Sequence, residues 1–248
     1  MIHYHGLPIT PQSCALAAVK GGHAFISHRY PDQLSMVLDN CSTFAVDNGA
    51  FSAWRSGHPV TDWTAYYDWV AELHRYPQFD FAVIPDVIDG TENENDQLMW
   101  QFPWKNNGIG APVFHMHESL DRLQRIINAG FRVICIGSSG EFDLGTPNWW
   151  SRMAAIMNVL CDKHGRPVCK IHGLRMLDPE IFKYFPLSSC DSTNIAHNIG
   201  IDSKWKGTYT PSTKEVRTIV LRERIESTQA ATFWNKQDIQ QDFHGMFK

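Results

Sequence analysis

Phe44-Ala45-Val46-Asp47-Asn48-Gly49-Ala50-Phe51-Ser52-Ala53-Trp54 is the stretch from which the fold can be read. Side chains along a strand alternate between faces, so Phe44 and Val46 share one side while Ala45 and Asp47 share the other. The bulky pair suits a covering layer of helices. That leaves a carboxylate facing inward at the last strand position, just before Asn48-Gly49 turns the chain. Taken alone, Asp47 fits an Asx-type turn that only satisfies nearby backbone amides equally well.

Working outward, the chain repeats this unit. Short apolar runs at Ile2–His5, His23–Ser27, Thr43–Asp47, Phe79–Pro85, Pro112–His117, Arg132–Gly137, Val168–His172 and Leu187–Asp191 alternate with helical segments. The clearest helices are Asp62–Arg75, Glu92–Trp104, Ser119–Ala129, Pro147–His164 and Pro179–Tyr184. Thr61, Ser119 and Thr146-Pro147 supply start signals, and Gly130 supplies a stop. The connection through Pro11–Lys20 reads as short and only loosely helical. Eight runs in this order predict an α/β fold, a (β/α)8 TIM-type barrel, and 248 residues is a usual size for one. The expected division is a single barrel domain over 1–200, with a C-terminal extension over 201–248. That extension is a basic loop and a helix from about Thr213 to Ile225, packed on the barrel. An open doubly wound sheet is the rival, but no Gly-x-Gly-x-x-Gly follows any strand.

Composition excludes some classes. Hydrophobic residues make up 43% and charged residues 19%, and no apolar run has membrane-spanning length. The first residues lack the basic-then-apolar pattern of a secretory leader. Six scattered cysteines predict reduced thiols and a cytoplasmic setting. The net charge of −4 gives no global sign of nucleic acid, but Ser203–Arg224 holds six basic residues against two acidic ones. Lys204, Lys206 and Arg217 in that stretch are either phosphate contacts or part of an ordinary solvated surface.

In a barrel of this kind the chemistry gathers at the C-terminal ends of the strands. Those ends are polar here: Asp47, Pro85-Asp86, His115-Met116-His117-Glu118, Gly137-Ser138-Ser139-Gly140-Glu141, Lys170-Ile171-His172-Gly173 and Cys190-Asp191-Ser192-Thr193-Asn194. One strand-end Asp is commonly a cap. Three converging carboxylates point to a site. Trp54 follows the first of these loops and is a candidate for stacking on a flat ligand, whereas Trp100, Trp104, Trp149 and Trp150 read mainly as packing residues.

Asp47-Asn48-Gly49-Ala50-Phe51 resembles the Asp-Ser-Gly-Gly-Phe motif of tRNA-guanine transglycosylases. Ile136-Gly137-Ser138-Ser139-Gly140-Glu141 resembles their glycine-rich loop, and Cys190-Asp191-Ser192-Thr193-Asn194 resembles their late Asp-Cys...Thr-Arg-Asn segment. The likeness spans roughly residues 43–198 and extends to the compact phage DNA-guanine transglycosylase (DpdA) type. It implies an enzyme that exchanges guanine in nucleic acid, DNA in preference to tRNA, for a 7-deazaguanine such as 7-cyano-7-deazaguanine. Asp191 would be the nucleophile at the sugar C1′ and Asp47 the proton-handling carboxyl. Asp86, with Gly137, Ser138, Phe51 and Asn194, would bind the base, and His117 and His172 would line the site. The resemblance implies no cofactor, no membrane, and a homodimer as one option for assembly.

Two departures stand out. Asn48 and Ala50 replace the family's Ser and second Gly. The cysteine trio and later histidine that hold zinc in the tRNA-modifying members have no counterpart. Cys161, His164, Cys169 and His172 superficially suggest a ligand set, yet Cys169 and His172 fall on opposite faces of one strand, so no metal site is expected. Two other classes stay open. One is a metal-dependent, amidohydrolase-like enzyme using His3, His5, His117, His172 and Asp191. The other is a non-catalytic nucleic-acid-binding barrel.

Overall fold

Every described strand is parallel to its neighbours, as crossover helices between apolar runs require. The computed structural model describes residues 1–105, 107–138, 141–200, 205 and 208–235. In chain order the elements are β1 (Ile2–Gly6), α1 (Gln12–Val19), β2 (His23–Ser27), α2 (Leu34–Asn40), β3 (Thr43–Asp47), α3 (Ala50–Arg55), α4 (Thr64–Leu73), β4 (Phe79–Val83), α5 (Glu92–Gln101), β5 (Gly110–Ala111), β6 (Val113–His115), α6 (Leu120–Asn128), β7 (Val133–Gly137), α7 (Pro147–Leu160), β8 (Lys170–Gly173), α8 (Pro179–Phe182), β9 (Ser189–Ser192), α9 (Asn194–Asn198) and α10 (Lys214–Glu226).

The sheet order is β5-β4-β3-β2-β1-β9-β8-β7-β6. Its two ends, β5 and β6, are separated only by Pro112, which has no N–H to donate to the ladder. The expected fifth run, Pro112–His117, therefore corresponds to β6 alone, and β5 is a short ninth strand that the eight expected runs did not include. β5 pairs with β4 and β6 pairs with β7, which brings the sheet round into a nearly closed α/β TIM-type barrel.

Alternation sorts the side chains as the opening stretch predicts. Phe44 and Val46 join Ile26, Ala82, Phe114, Ile136 and Ile171 in the layer between sheet and helices. Ala45 joins Tyr4, Phe25, Phe81, Val83, Val113, Val133 and Cys135 inside the barrel. Burying one such large apolar side chain contributes about 1.5–3 kcal/mol. Low in the barrel the Tyr4 hydroxyl donates to Asp80 Oδ2 at 2.7 Å, and Arg132 pairs with Asp80 Oδ1 at 2.9 Å. That carboxylate is thus matched on both oxygens.

The helix caps follow the sequence signals in most places. Thr91 and Glu94 form a capping box on α5, and Ser119 and Thr146 cap α6 and α7. Gly130, at φ 78°, ends α6 in the left-handed conformation. Thr61 does not cap α4. Asp62 accepts from the Thr64 N–H and hydroxyl at 2.9 and 2.7 Å instead, because it lies two residues before the helix start.

The Pro11–Lys20 connection is a full helix, corrected here from its loose reading. Two of its three alanines, Ala15 and Ala18, are fully buried, and α10 packs against this helix. The side chain of Arg222 on α10 reaches back to the carbonyls of Ala17 and Lys20. Among the described residues no helix is long and apolar enough to cross a membrane.

Candidate active site

A cavity of about 430 Å³ opens at the C-terminal ends of the strands, within the usual range for small-ligand sites. Asp47, Phe51, Asp86, Gly137, Ser138 and Asp191, all expected from sequence, line it together with Asn48, His115 and Arg175.

Asp191 ends up facing the cavity because β9 alternates. Cys190 packs outward against the helices, and Ser189 and Asp191 point inward. Asp191 Oδ1 accepts from the backbone N–H of Arg175 at 3.0 Å and lies 3.2 Å from His172 Nε2. A carboxylate can only accept, so Nε2 carries a proton, and Nδ1 lies within hydrogen-bond distance of the Ser189 hydroxyl at 2.8 Å. His172 is fully buried, with its ring stacked on Phe25 at 5.2 Å between centroids. The imidazole is therefore locked beneath the carboxylate. It supports the site from below and does not line it, a correction to its expected place.

Arg175 holds its amide toward Asp191 by adopting φ 59°, a left-handed conformation that is uncommon outside glycine. Strain of this sort persists where surrounding contacts over-determine it. Here the guanidinium donates to the Ser138 carbonyl and lies 3.8 Å from the centre of the Phe51 ring. Burial lowers its pKa, while Asp191 and Asp47 partly restore it.

Asp47 is held by the turn that follows it. Gly49, left-handed at φ 82°, returns its N–H to Asp47 Oδ2 at 3.0 Å before α3 begins. Burial pushes the Asp47 carboxyl up from 3.8 to about 7, reinforced by the negative charges of Asp191 and Asp86; bonds from Ser27 and Gly49 oppose the shift. The Asx turn is therefore real, and it coexists with a carboxyl poised to gain or lose a proton near neutrality.

Asn48 spans β3 and β4. Its amide donates to Asp86 Oδ1 at 2.7 Å and to the Ile84 carbonyl at 2.9 Å, while its oxygen accepts from Ala50 N–H at 2.7 Å. Every partner is buried, so the side chain that differs from the transglycosylase motif works as a strut for Asp86. His115 Nε2 lies 2.9 Å from Asp86 Oδ2, but off line for a hydrogen bond, and it is left as a buried nitrogen without an aligned partner.

The loop beyond His115 is pinned by a second network. Glu118 accepts from the His115 N–H at 2.8 Å and from Asn95 at 3.0 Å, and pairs with buried Arg122. Arg152 Nε donates to the Met116 carbonyl at 2.7 Å.

Other expected residues lie elsewhere. β6 stops at His115, so His117 sits exposed, stacked on the outer side of the His115 ring. Asn194 accepts from Asn198 within α9 and is not part of the cavity lining; Thr193 takes that place. Arg217 is buried, with Nη1 donating to the Pro211 carbonyl at 3.1 Å, and so is turned away from any phosphate. Lys204 and Lys206, like Ser139 and Gly140, lie outside the described residues.

The hydrolase ligand set does not assemble. Tyr4 points into the barrel, so His3 and His5 face the helices, where His3 meets the Thr228 carbonyl and His5 meets Glu226. Sequence reasoning passed over His115 and Arg175. His115 shares the inward parity of Val113, a signal that was present, whereas nothing in the sequence announces the left-handed backbone of Arg175.

No family model matches the chain, and no curated protein matches it by sequence. Among solved structures, the chain aligns with one from Coccidioides immitis assigned as a fructose-1,6-bisphosphate aldolase. The TM-score is 0.53 at 12% identity, over 92% of this chain and 90% of that one. A likeness at this identity carries the barrel fold alone.

Proposed function

We propose that this protein is a base-exchange glycosyltransferase that replaces guanine in nucleic acid, DNA in preference to tRNA, with a 7-deazaguanine through a covalent glycosyl-aspartate. The observation that carries the proposal is the disposition of two carboxyls in one cavity. Asp191 has Oδ1 fixed by two donors, and Oδ2 has no protein donor among the described residues. Asp47 beside it titrates at about 7. An oxocarbenium-like centre needs this division of labour: one ionised carboxylate at the sugar and one carboxyl that moves protons.

In the first half-reaction Asp191 Oδ2 attacks C1′, the C1′–N9 bond breaks, and its electron pair leaves with guanine, which takes the proton of neutral Asp47. In the second, Asp47 as carboxylate removes the N9 proton of the incoming base. N9 then attacks C1′, and the ester bond returns its electron pair to Asp191. Asp86, braced by Asn48, has lone pairs left to accept the purine N1–H and exocyclic amine. The unaligned His115 nitrogen supplies a donor for the base's carbonyl edge. Gly137 lines the same cavity, and a Cβ there would press within 3.2 Å of Val113 and 3.5 Å of the His115 ring.

The test is incorporation of labelled guanine into a guanine-containing oligonucleotide. Turnover is expected from the wild type and none from folded Asp191→Asn, whose amide cannot form the ester. Near wild-type turnover in that variant would remove Asp191 as nucleophile.

A further inference from the structure

Resting on base exchange in a nucleic acid, we infer that the polynucleotide is gripped at the β2–β3 edge of the barrel mouth, by Arg29, Tyr30, Trp54 and Arg55, and that it binds there as a single strand. The three arginines of the basic C-terminal stretch are occupied with structure. Arg217 is buried on the Pro211 carbonyl, Arg222 is divided between Glu226 and two carbonyls of the α1 end, and Arg224 lies over the Trp205 ring at 5.2 Å.

The opposite situation holds at the mouth. The loop after β2 carries Arg29 and Tyr30, and the last turn of α3 carries Trp54 and Arg55. Arg29 Nη2 donates to the Ser56 hydroxyl at 3.1 Å, which latches the two segments together. Tyr30 and Arg55 reach the cavity lining, so this edge is continuous with the catalytic carboxyls. Tyr30 is 45% exposed and Trp54 36%, and the Trp54 ring lies 5.8 Å from Phe51. A path of aromatic faces therefore leads from solvent into the cavity.

Charge favours an anion here. Among the described residues Arg29, Arg55 and Arg175 have no carboxylate partner, a condition they share with Arg152, Arg217 and Arg224, which are instead spent on carbonyls or a ring. Arg55 is near enough to Arg175 to help lower its pKa. Asp32 is the only carboxylate in the loop after β2. Guanidiniums without carboxylate partners, interleaved with exposed rings, match the two requirements of a single strand: phosphate neutralisation and base stacking. In a duplex the target nucleotide would first have to flip out of the stack to reach Asp191, a cost that a single strand does not carry.

Fluorescence anisotropy with a single-stranded oligodeoxynucleotide carrying one guanine, across a salt series, tests the inference. Arg29→Ala combined with Arg55→Ala is expected to flatten the log–log salt slope by about 1.4, at ~0.7 for each phosphate no longer neutralised. Trp54→Ala is expected to weaken binding about tenfold with the slope unchanged. Lys204→Ala with Lys206→Ala is expected to leave both near wild type, and guanine affinity by calorimetry is expected to hold in that variant and in Arg29→Ala alone, whose side chain is outside the cavity lining. Unchanged slope and affinity in the rim variants, or a slope flattened only in the lysine variant, would overturn the inference while leaving base exchange intact. If the wild type binds neither guanine nor the oligonucleotide, base exchange fails first and the grip fails with it.

Discussion

Replacing Asp47 with Asn isolates the titration on which proton transfer depends. The native environment raises this carboxyl from 3.8 to about 7, so near neutrality the folded protein holds a proton that the unfolded chain has released. For an acid with a raised pKa, the native state bears no penalty below the unfolded pKa. The penalty grows as pH climbs between the two values and is complete above about 7. A rise of about 3 pH units, at about 1.4 kcal/mol each, gives a penalty of about 4 kcal/mol. Asparagine is neutral throughout, and its oxygen can still accept from the Gly49 N–H. Urea unfolding of the two proteins is therefore expected to show little difference near pH 4, and Asp47→Asn more stable by about 2–4 kcal/mol near pH 8, even as exchange activity is lost. A stability difference that does not change with pH, or a variant less stable near pH 8, would refute the desolvated, repelled carboxyl.

Asp86→Ala is expected to weaken guanine binding by about 1–3 kcal/mol with the fold retained, read by calorimetry; unchanged affinity would remove Asp86 from the base pocket. His172→Phe keeps an aromatic ring against Phe25 but withdraws the donor to Asp191 Oδ1, so kcat is expected to fall more than tenfold, at least about 1.4 kcal/mol of barrier, with little change in KM. An equal loss in the two parameters would assign His172 to packing. Arg122→Met leaves the buried Glu118 carboxylate without its cation and is expected to destabilise the protein by about 3–5 kcal/mol in urea, while a cost under about 1 kcal/mol would mean the pair is dispensable.

The barrel was legible in the sequence because strand parity is a local signal. Phe44 and Val46 against Ala45 already sorted outside from inside, and the same rule placed Asp47 and Asp191 in the cavity. The same parity, followed on β1, would have turned His3 and His5 toward the helices once Tyr4 was taken as interior. The extra strand β5 was not legible, because two small residues, Gly110 and Ala111, carry no apolar run of their own and are strand only through pairing with β4. Arg217 misled because a basic stretch gives a charge count without giving burial, and an arginine can be consumed by carbonyls. Asn48 looked like a departure from a motif; its role as the strut of Asp86 depends on a residue 38 positions away. Arg175 was illegible for a similar reason, since its left-handed backbone is fixed by contacts with Asp191, Ser138 and Phe51 on three other elements.

The central claim is a covalent bond between Asp191 and the sugar. The most direct measurement is to mix the protein with a guanine-containing single-stranded oligonucleotide, denature the mixture without an incoming base, and resolve it by gel and intact-mass spectrometry. A band with the summed mass of protein and oligonucleotide less guanine, mapping by peptide mass to Asp191 and absent from Asp191→Asn, is the predicted result. Exchange of labelled base with no such adduct, or an adduct that maps to another residue, would contradict it.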